Sequence, residues 1–432
     1  MTTPRAIVPA VRGLRGTLRM PGDKSIAHRA VLLGAVASGN TRVCGFTGGR
    51  DPLATVAACG ALGVRIEVDG QELSIEGRGW DGVRAPSGTI DCANSGTTMR
   101  LLAGVLAGRP FTSRLDGDAS LRRRPMRRVA EPLGRMGAIV VNEGPNGCAP
   151  LRIEGRPLRG ATHRLAVASA QVKSALLLAG LQAEGATSVE EPARSRDHTE
   201  RLLADFGAVL ERDVHRVSVA GRQALRGTRV ALPGDFSSAA FFIVAALLVP
   251  GSEIRLVDVG INPTRTGLLD VLAAMGGESA ITLEPAEAEG AEPVATLIVR
   301  SARLHGARVA GELLLRAIDE FPILCVAAAC AEGTTELRDA AELRVKESDR
   351  IAAMAEVLRA LGARVDEVPD GLVIEGPTRF GSARVDSRGD HRIAMAAAIA
   401  GLTGGGAVSI DDADCAEVSF PGFYDALGRV GA

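Results

Sequence analysis

Six short polar motifs carry most of the residues able to do chemistry, and each stands directly before an Ala- and Leu-rich stretch. They are Gly22-Asp-Lys-Ser25, Asn94-Ser-Gly-Thr-Thr98, Ser169-Ala-Gln-Val-Lys-Ser174, Gly234-Asp-Phe-Ser-Ser238, Ile318-Asp-Glu-Phe321 and Gly389-Asp-His-Arg392. Ser, Thr, Asp and Asn in such places are ordinary helix N-caps. The cations are not ordinary there: Lys24, Arg29, Arg100, Lys173 and Arg392 lie within or just after the same motifs. A positive side chain near a helix start opposes the macrodipole, so a cluster of them suggests a bound anion. Acid–base candidates are few. Asp319 and Glu320 head an apolar helix, Glu347 lies between Lys346 and Arg350, and His391 lies between Asp390 and Arg392. A carboxylate in cationic surroundings stays ionised, as a general base must. HExxH, GxSxG, a Walker A loop and GxGxxG in strand–helix context are all missing, so neither metal nor cofactor is expected.

The elements that must position these residues repeat. A hydrophobic-Gly pair ends a helical pattern six times: Leu62-Gly63, Met136-Gly137, Phe206-Gly207, Met275-Gly276, Leu361-Gly362 and Val430-Gly431. Gly there fits a left-handed C-cap. An earlier helix, a Gly and a short strand precede most of these pairs, giving a unit of about 70 residues that must share its core with its neighbours. A slower repeat overlays this one, because Pro21-Gly-Asp-Lys-Ser25 recurs as Pro233-Gly-Asp-Phe-Ser237. The expected division is a first domain over 21–233 and a discontinuous second domain of 1–20 plus 234–432, three units each. The sixth unit is short, and the first twenty residues would complete it. Pro and Gly at the two crossovers are plausible hinges for closure.

Bulk properties bound the function. At 432 residues the chain exceeds a single core, and its apolar content is aliphatic, with only 3% aromatics. A formal net charge of −1 argues against nucleic acid or a membrane surface as partner. The basic run Leu121–Arg128 has no interleaved aromatics and reads as a solvated face; Glu342–Arg350 alone would read as a salt-bridged helix start. Seven cysteines without a CxxC fit a reducing cytoplasm. The longest apolar run, 239–250, is too short to span a bilayer.

The motifs, in this order, resemble those of the 5-enolpyruvylshikimate-3-phosphate (EPSP) synthases, from Thr17 to Phe423. The resemblance rests on Pro21-Gly-Asp-Lys-Ser-Ile-Ala-His-Arg29, Asn94–Arg100, Gly117–Pro125, Ser169-Ala-Gln171, Arg344-Val-Lys-Glu-Ser-Asp-Arg350 and Asp390-His-Arg392. It implies an α/β fold of two similar domains, each with three βαβαββ units around buried parallel helices. It implies a monomer acting on phosphoenolpyruvate and shikimate 3-phosphate without a cofactor. Lys24, Ser25, Arg29, Ser169, Gln171, Arg196, Asp319 and Lys346 would hold the acceptor. Lys24, Gly96, Arg124, Gln171, Arg350 and Arg392 would hold phosphoenolpyruvate. Asp319, Glu347 and Lys24 would move the protons.

Four positions depart from the family pattern: Ala170 for a second Ser, Glu342 for Asn, Val418 for a late Lys, and Leu101 for Pro. They fit a divergent bacterial subgroup and leave the reaction class intact. Gly96 implies sensitivity to glyphosate, which needs room that a Cβ would occupy. Two other readings share the fold. The UDP-N-acetylglucosamine enolpyruvyl transferase carries a loop Cys that Leu115–Met126 lacks, and a silent anion-binding protein would have no use for Asp319 and Glu347.

Overall fold

The computed structural model describes residues 5–431. The chain folds as two compact units: 22–232 with 289–292, and 5–21 with 233–288 and 293–431. The departure from a division at the two proline crossovers is Glu289–Glu292, the tip of a hairpin between strands Ile281–Ala286 and Val294–Arg300. His198 Nδ1 pairs with Glu292 Oε1 at 2.7 Å, and the Arg201 guanidinium donates to the Ala291 carbonyl, which gathers the tip with residues 22–232.

Each unit is built on three helices that head the repeats. In the 22–232 unit they are α1 (Lys24–Val36), α2 (Gly96–Leu106) and α3 (Ala170–Gly180). In the other unit they are α4 (Phe236–Leu248), α5 (Phe321–Cys330) and α6 (His391–Thr403). Their apolar residues go nearly all the way round, which suits burial on every side; from Phe236 to Leu247 every residue of α4 is buried. Five of the six start on a side-chain cap. Asp23, Ser95, Ser169, Asp235 and Asp390 each accept a backbone N–H from the first turn. Helix α5 instead begins after the turn Ile318–Glu320, with Pro322 in its first turn. Proline tolerates that place because its missing N–H has no partner to lose.

Among the described residues the strands form six small sheets. Five have four strands in one pattern: two parallel strands, then two antiparallel ones. The strand before each crossover supplies a parallel edge. Arg229–Ala231 pairs with Ser38–Cys44, and Arg15–Arg19 pairs with Glu253–Gly260. Among the described residues the sixth sheet has three strands, Arg5–Val8, Val408–Asp411 and Ala383–Asp386. The N-terminal residues therefore serve two sheets: Arg5–Val8 joins the sixth and Arg15–Arg19 the fourth. Among the six C-cap glycines, Gly63, Gly137, Gly207, Gly276 and Gly362 have φ between 83° and 117°. Gly431 corrects the sixth assignment, with φ −95° at the end of the described chain.

Helix spacing depends on small residues. Gly104 of α2 abuts the backbone of α3 so closely that a Cβ there would overlap the Ala175 carbonyl. That backbone cannot swing aside as a side chain could. Gly104→Ala should therefore destabilise the protein by about 1–3 kcal/mol, as overpacking does. Denaturant unfolding of the two proteins measures it, and unchanged stability would mean that α2 and α3 can separate freely.

Candidate active site

In the 22–232 unit the starts of α1, α2 and α3 lie side by side. Gln171, in the first turn of α3, donates through Nε2 to Thr97 Oγ1 at 2.9 Å and accepts from Arg100 at 2.6 Å, both on α2. Arg29 of α1 donates from its second Nη to Ser174 Oγ of α3 at 3.0 Å and from Nε to Thr199 Oγ1 at 2.6 Å. Its first Nη reaches back to the Ser25 carbonyl. Burial lowers the Arg29 guanidinium to about 10. Lys24 opens α1 and lies 3.1 Å from Asp51. Ser169 caps α3 and donates its own N–H to Glu191.

Arg124 follows the turn Leu121–Arg123 and is buried, donating to Asn94 and to Ser120. It converges with Arg100 on Gly96, which opens α2. A Cβ on Gly96 would meet an Nη of Arg100 at 2.8 Å and an Nη of Arg124 at 3.3 Å. Gly96 is helical and has no positive φ. Its missing side chain leaves room for these guanidinium ends.

Not every helix-head cation is offered to a ligand. Lys173 is buried between Glu191 and Glu200, with Nζ–O distances of 2.8 and 2.9 Å. This corrects the expectation that Lys173 marks a bound anion: its charge is met within the protein. Arg196 is half-buried, between Ser195 and Asp197. Ser25 lies in the first turn of α1, and Ala170 opens α3. Leu101 is a fully buried residue of α2, so it continues the helix into the core.

The second cluster belongs to the other unit and centres on Asp319. Three guanidinium groups surround its carboxylate: Arg350 at 3.6 Å, Arg392 at 3.7 Å and Arg265 at 3.8 Å. Arg392 also donates to the Asp319 backbone carbonyl at 2.8 Å. Arg350, fully buried, is braced by Asp390 through Nε at 2.8 Å and by Glu347 at 2.8 Å. Burial would lower that guanidinium, but Asp390, Glu347 and Asp319 outweigh it and raise it. Burial pushes the Lys346 ammonium below its ordinary value, against the pull of Asp319, Glu342 and Glu347. Glu342 lies 3.7 Å from Lys346, and Val418 ends the turn Ala413–Val418.

Arg265 escaped the sequence reading. It sits in the loop Asn262-Pro-Thr-Arg265, just before the helix Gly267–Ala274, outside the six polar motifs, yet it is 2% exposed and bonds Ser237 and Glu320. Glu320 accepts from both Ser237 and Arg265 on one oxygen, Oε1. His391 is buried at the start of α6. Among the described residues no group of His, Cys, Asp and Glu could hold a metal, and no helix is long and apolar enough to cross a membrane.

Against known proteins the match is to the family model described as EPSP synthase (3-phosphoshikimate 1-carboxyvinyltransferase), over residues 8–427. The chain belongs to the EPSP synthase family. A 3-phosphoshikimate 1-carboxyvinyltransferase of Geobacter sulfurreducens is 55% identical over 97% of both chains. One from Halorhodospira halophila is 54% identical over 97% of this chain and 94% of its own. A solved EPSP synthase of Acinetobacter baumannii superimposes with a TM-score of 0.87 at 44% identity, covering 100% of this chain and 98% of the other. The enolpyruvyl transferase NikO of Streptomyces tendae, at 20% identity and a TM-score of 0.80, covers 100% and 98% and shares the fold. As a member of this family the chain is a transferase of aromatic biosynthesis, moving the carboxyvinyl group of phosphoenolpyruvate to shikimate 3-phosphate. The UDP-sugar reading is not favoured.

Because Gly96 has ordinary helical geometry, Gly96→Ala should leave stability within about 1 kcal/mol of wild type. Chemical denaturation checks this. A larger loss would mean that the Arg100 and Arg124 guanidinium ends cannot shift to admit a methyl group.

Proposed function

We propose that the two helix-head clusters divide the work of the transfer. Lys24, Ser25, Arg29, Ser169, Gln171 and Arg196, with Asp319 and Lys346, hold shikimate 3-phosphate. Gly96, Arg124, Arg350 and Arg392, with Lys24 and Gln171, hold phosphoenolpyruvate. Asp319 takes the proton of the acceptor's 5-hydroxyl as its oxygen bonds to C2 of phosphoenolpyruvate, while Glu347, with Lys24, delivers a proton to the methylene carbon. The product of this addition is a tetrahedral intermediate that still carries the phosphate. Loss of a methyl proton and departure of phosphate then give the enol ether. Every step uses side chains already present, through orientation and charge stabilisation.

The observation that carries this reading is the ring of Arg265, Arg350 and Arg392 around Asp319. Three positive charges favour the ionised carboxylate that a base must be. The same guanidinium groups suit carboxylate and phosphate by bidentate pairing. Seven cysteines, none of them in a disulfide, support a reducing cytoplasm as the place of action.

Phosphate release from phosphoenolpyruvate should require shikimate 3-phosphate; turnover with the UDP-sugar instead would overturn the reading. Asp319→Asn and Glu347→Gln should each lower kcat about 10²-fold with smaller changes in KM, the pattern of groups acting in the transition state. A wild-type kcat in Asp319→Asn removes the base from the scheme.

Glyphosate should compete with phosphoenolpyruvate, and Gly96→Ala should raise its inhibition constant more than the KM. Steady-state inhibition kinetics on the two proteins decide it, and equal shifts in both constants count against the space at Gly96.

A further inference from the structure

The Lys173 pair leaves a buried carboxylate with more work than neutralising one ammonium. Glu191 is almost fully buried at the end of strand Ala186–Glu190. Its Oε1 accepts the Ser169 N–H at 3.0 Å, and its Oε2 accepts from Ser195 Oγ at 2.9 Å and from Lys173 Nζ at 2.8 Å. Ser169 caps α3, and Ser195 immediately precedes Arg196. One carboxylate thus ties together two segments that are 26 residues apart in sequence. Lys173 extends the tie by donating to the Ser195 carbonyl at 3.4 Å and to Glu200 at 2.9 Å. The short segment 195–200 is held along its length. Arg194 and Arg201 both bond Asp197, and Arg29 and Ser174 both meet Thr199. Burial alone would lower the Lys173 ammonium, but Glu200 and Glu191 hold it above its ordinary value, so it remains a cation.

We propose that Glu191 is a positioning residue for the acceptor's phosphate, setting the α3 cap at Ser169 and the Arg196 segment at one spacing through the buried Lys173 tie. The inference rests on the reading of Ser169 and Arg196 as phosphate ligands. A guanidinium and a helix cap bind a phosphate well only if both are held where the oxygens will be, since an unheld Arg loses side-chain freedom on binding. Ala170 has no hydroxyl to offer, which leaves the phosphate more dependent on Ser169 and Arg196. The arrangement also explains why a lysine stands in the first turn of α3 without serving as a ligand. Its charge cross-links the two walls of the site instead.

Steady-state kinetics on the intact enzyme test this with Glu191→Gln, Arg196→Ala and the double variant. Glu191→Gln keeps the size of the side chain but gives up the charge that pairs with Lys173. The KM for shikimate 3-phosphate should rise roughly tenfold or more, as loss of charged hydrogen bonds implies, while the KM for phosphoenolpyruvate changes less than about threefold. Because Glu191 acts partly through Arg196, the double variant should raise the KM by less than the product of the two single effects, since changes within one network do not add. A merely structural role would lower the yield of folded enzyme and shift both KM values alike, and that result overturns the proposal. So do additive effects in the double variant. Arg196→Ala with an unchanged acceptor KM would remove the underlying site reading itself. A raised KM in Arg196→Ala with none in Glu191→Gln would remove only the positioning role. Should Glu191→Gln fold poorly, Glu191→Asp keeps the charge but is too short to reach Ser169 and Ser195 together. It should shift the same KM in the same direction, and an unchanged value there also contradicts the proposal.

Discussion

Helices that begin side by side impose a charge problem that much of this protein is arranged around. Each unit buries three helices whose first turns are joined by side-chain contacts, as Gln171 joins α2 to α3 and Arg392 joins α6 to the residue two before α5. Each start carries about half a positive charge and several N–H groups without helical partners. Grouping them makes a place where anions are welcome without any net positive charge on the chain. It also demands close packing, and Gly104 against the Ala175 carbonyl shows how little space remains.

The two units handle the added cations differently. In the 22–232 unit, Lys173 is neutralised internally by two glutamates, and Arg29 is spread over hydroxyl and carbonyl oxygens. In the other unit, arginines and carboxylates interleave: Asp390 and Glu347 brace Arg350, while Glu320 and Ser237 brace Arg265. Buried ion pairs gain little stability unless their geometry and hydrogen bonds are complete. Here they fix three guanidinium groups around the Asp319 carboxylate.

Much of this was legible in the sequence, for physical reasons. Polar caps before apolar helices are a local signal, and Asp23, Ser95, Ser169, Asp235 and Asp390 all cap as their residue types suggest. The hydrophobic-Gly pairs marked left-handed turns for the same reason, apart from Gly431. Pairing across long sequence distances was not legible. Nothing near Lys173 says that Glu191 and Glu200 will consume its charge, and nothing around Arg265 says that its loop delivers it to Asp319. The hairpin tip Glu289–Glu292 was hidden likewise, because its partners His198 and Arg201 are some ninety residues away. The division of Arg5–Val8 and Arg15–Arg19 between two sheets follows from strand pairing, which periodicity does not encode.

A crystal structure with shikimate 3-phosphate bound tests most directly whether the grouped helix starts form the anion site. The phosphate should lie against the start of α3, within hydrogen-bonding distance of Ser169 and the Arg196 guanidinium. A phosphate held instead by exposed arginines such as Arg122 and Arg123, away from every helix start, would contradict the account.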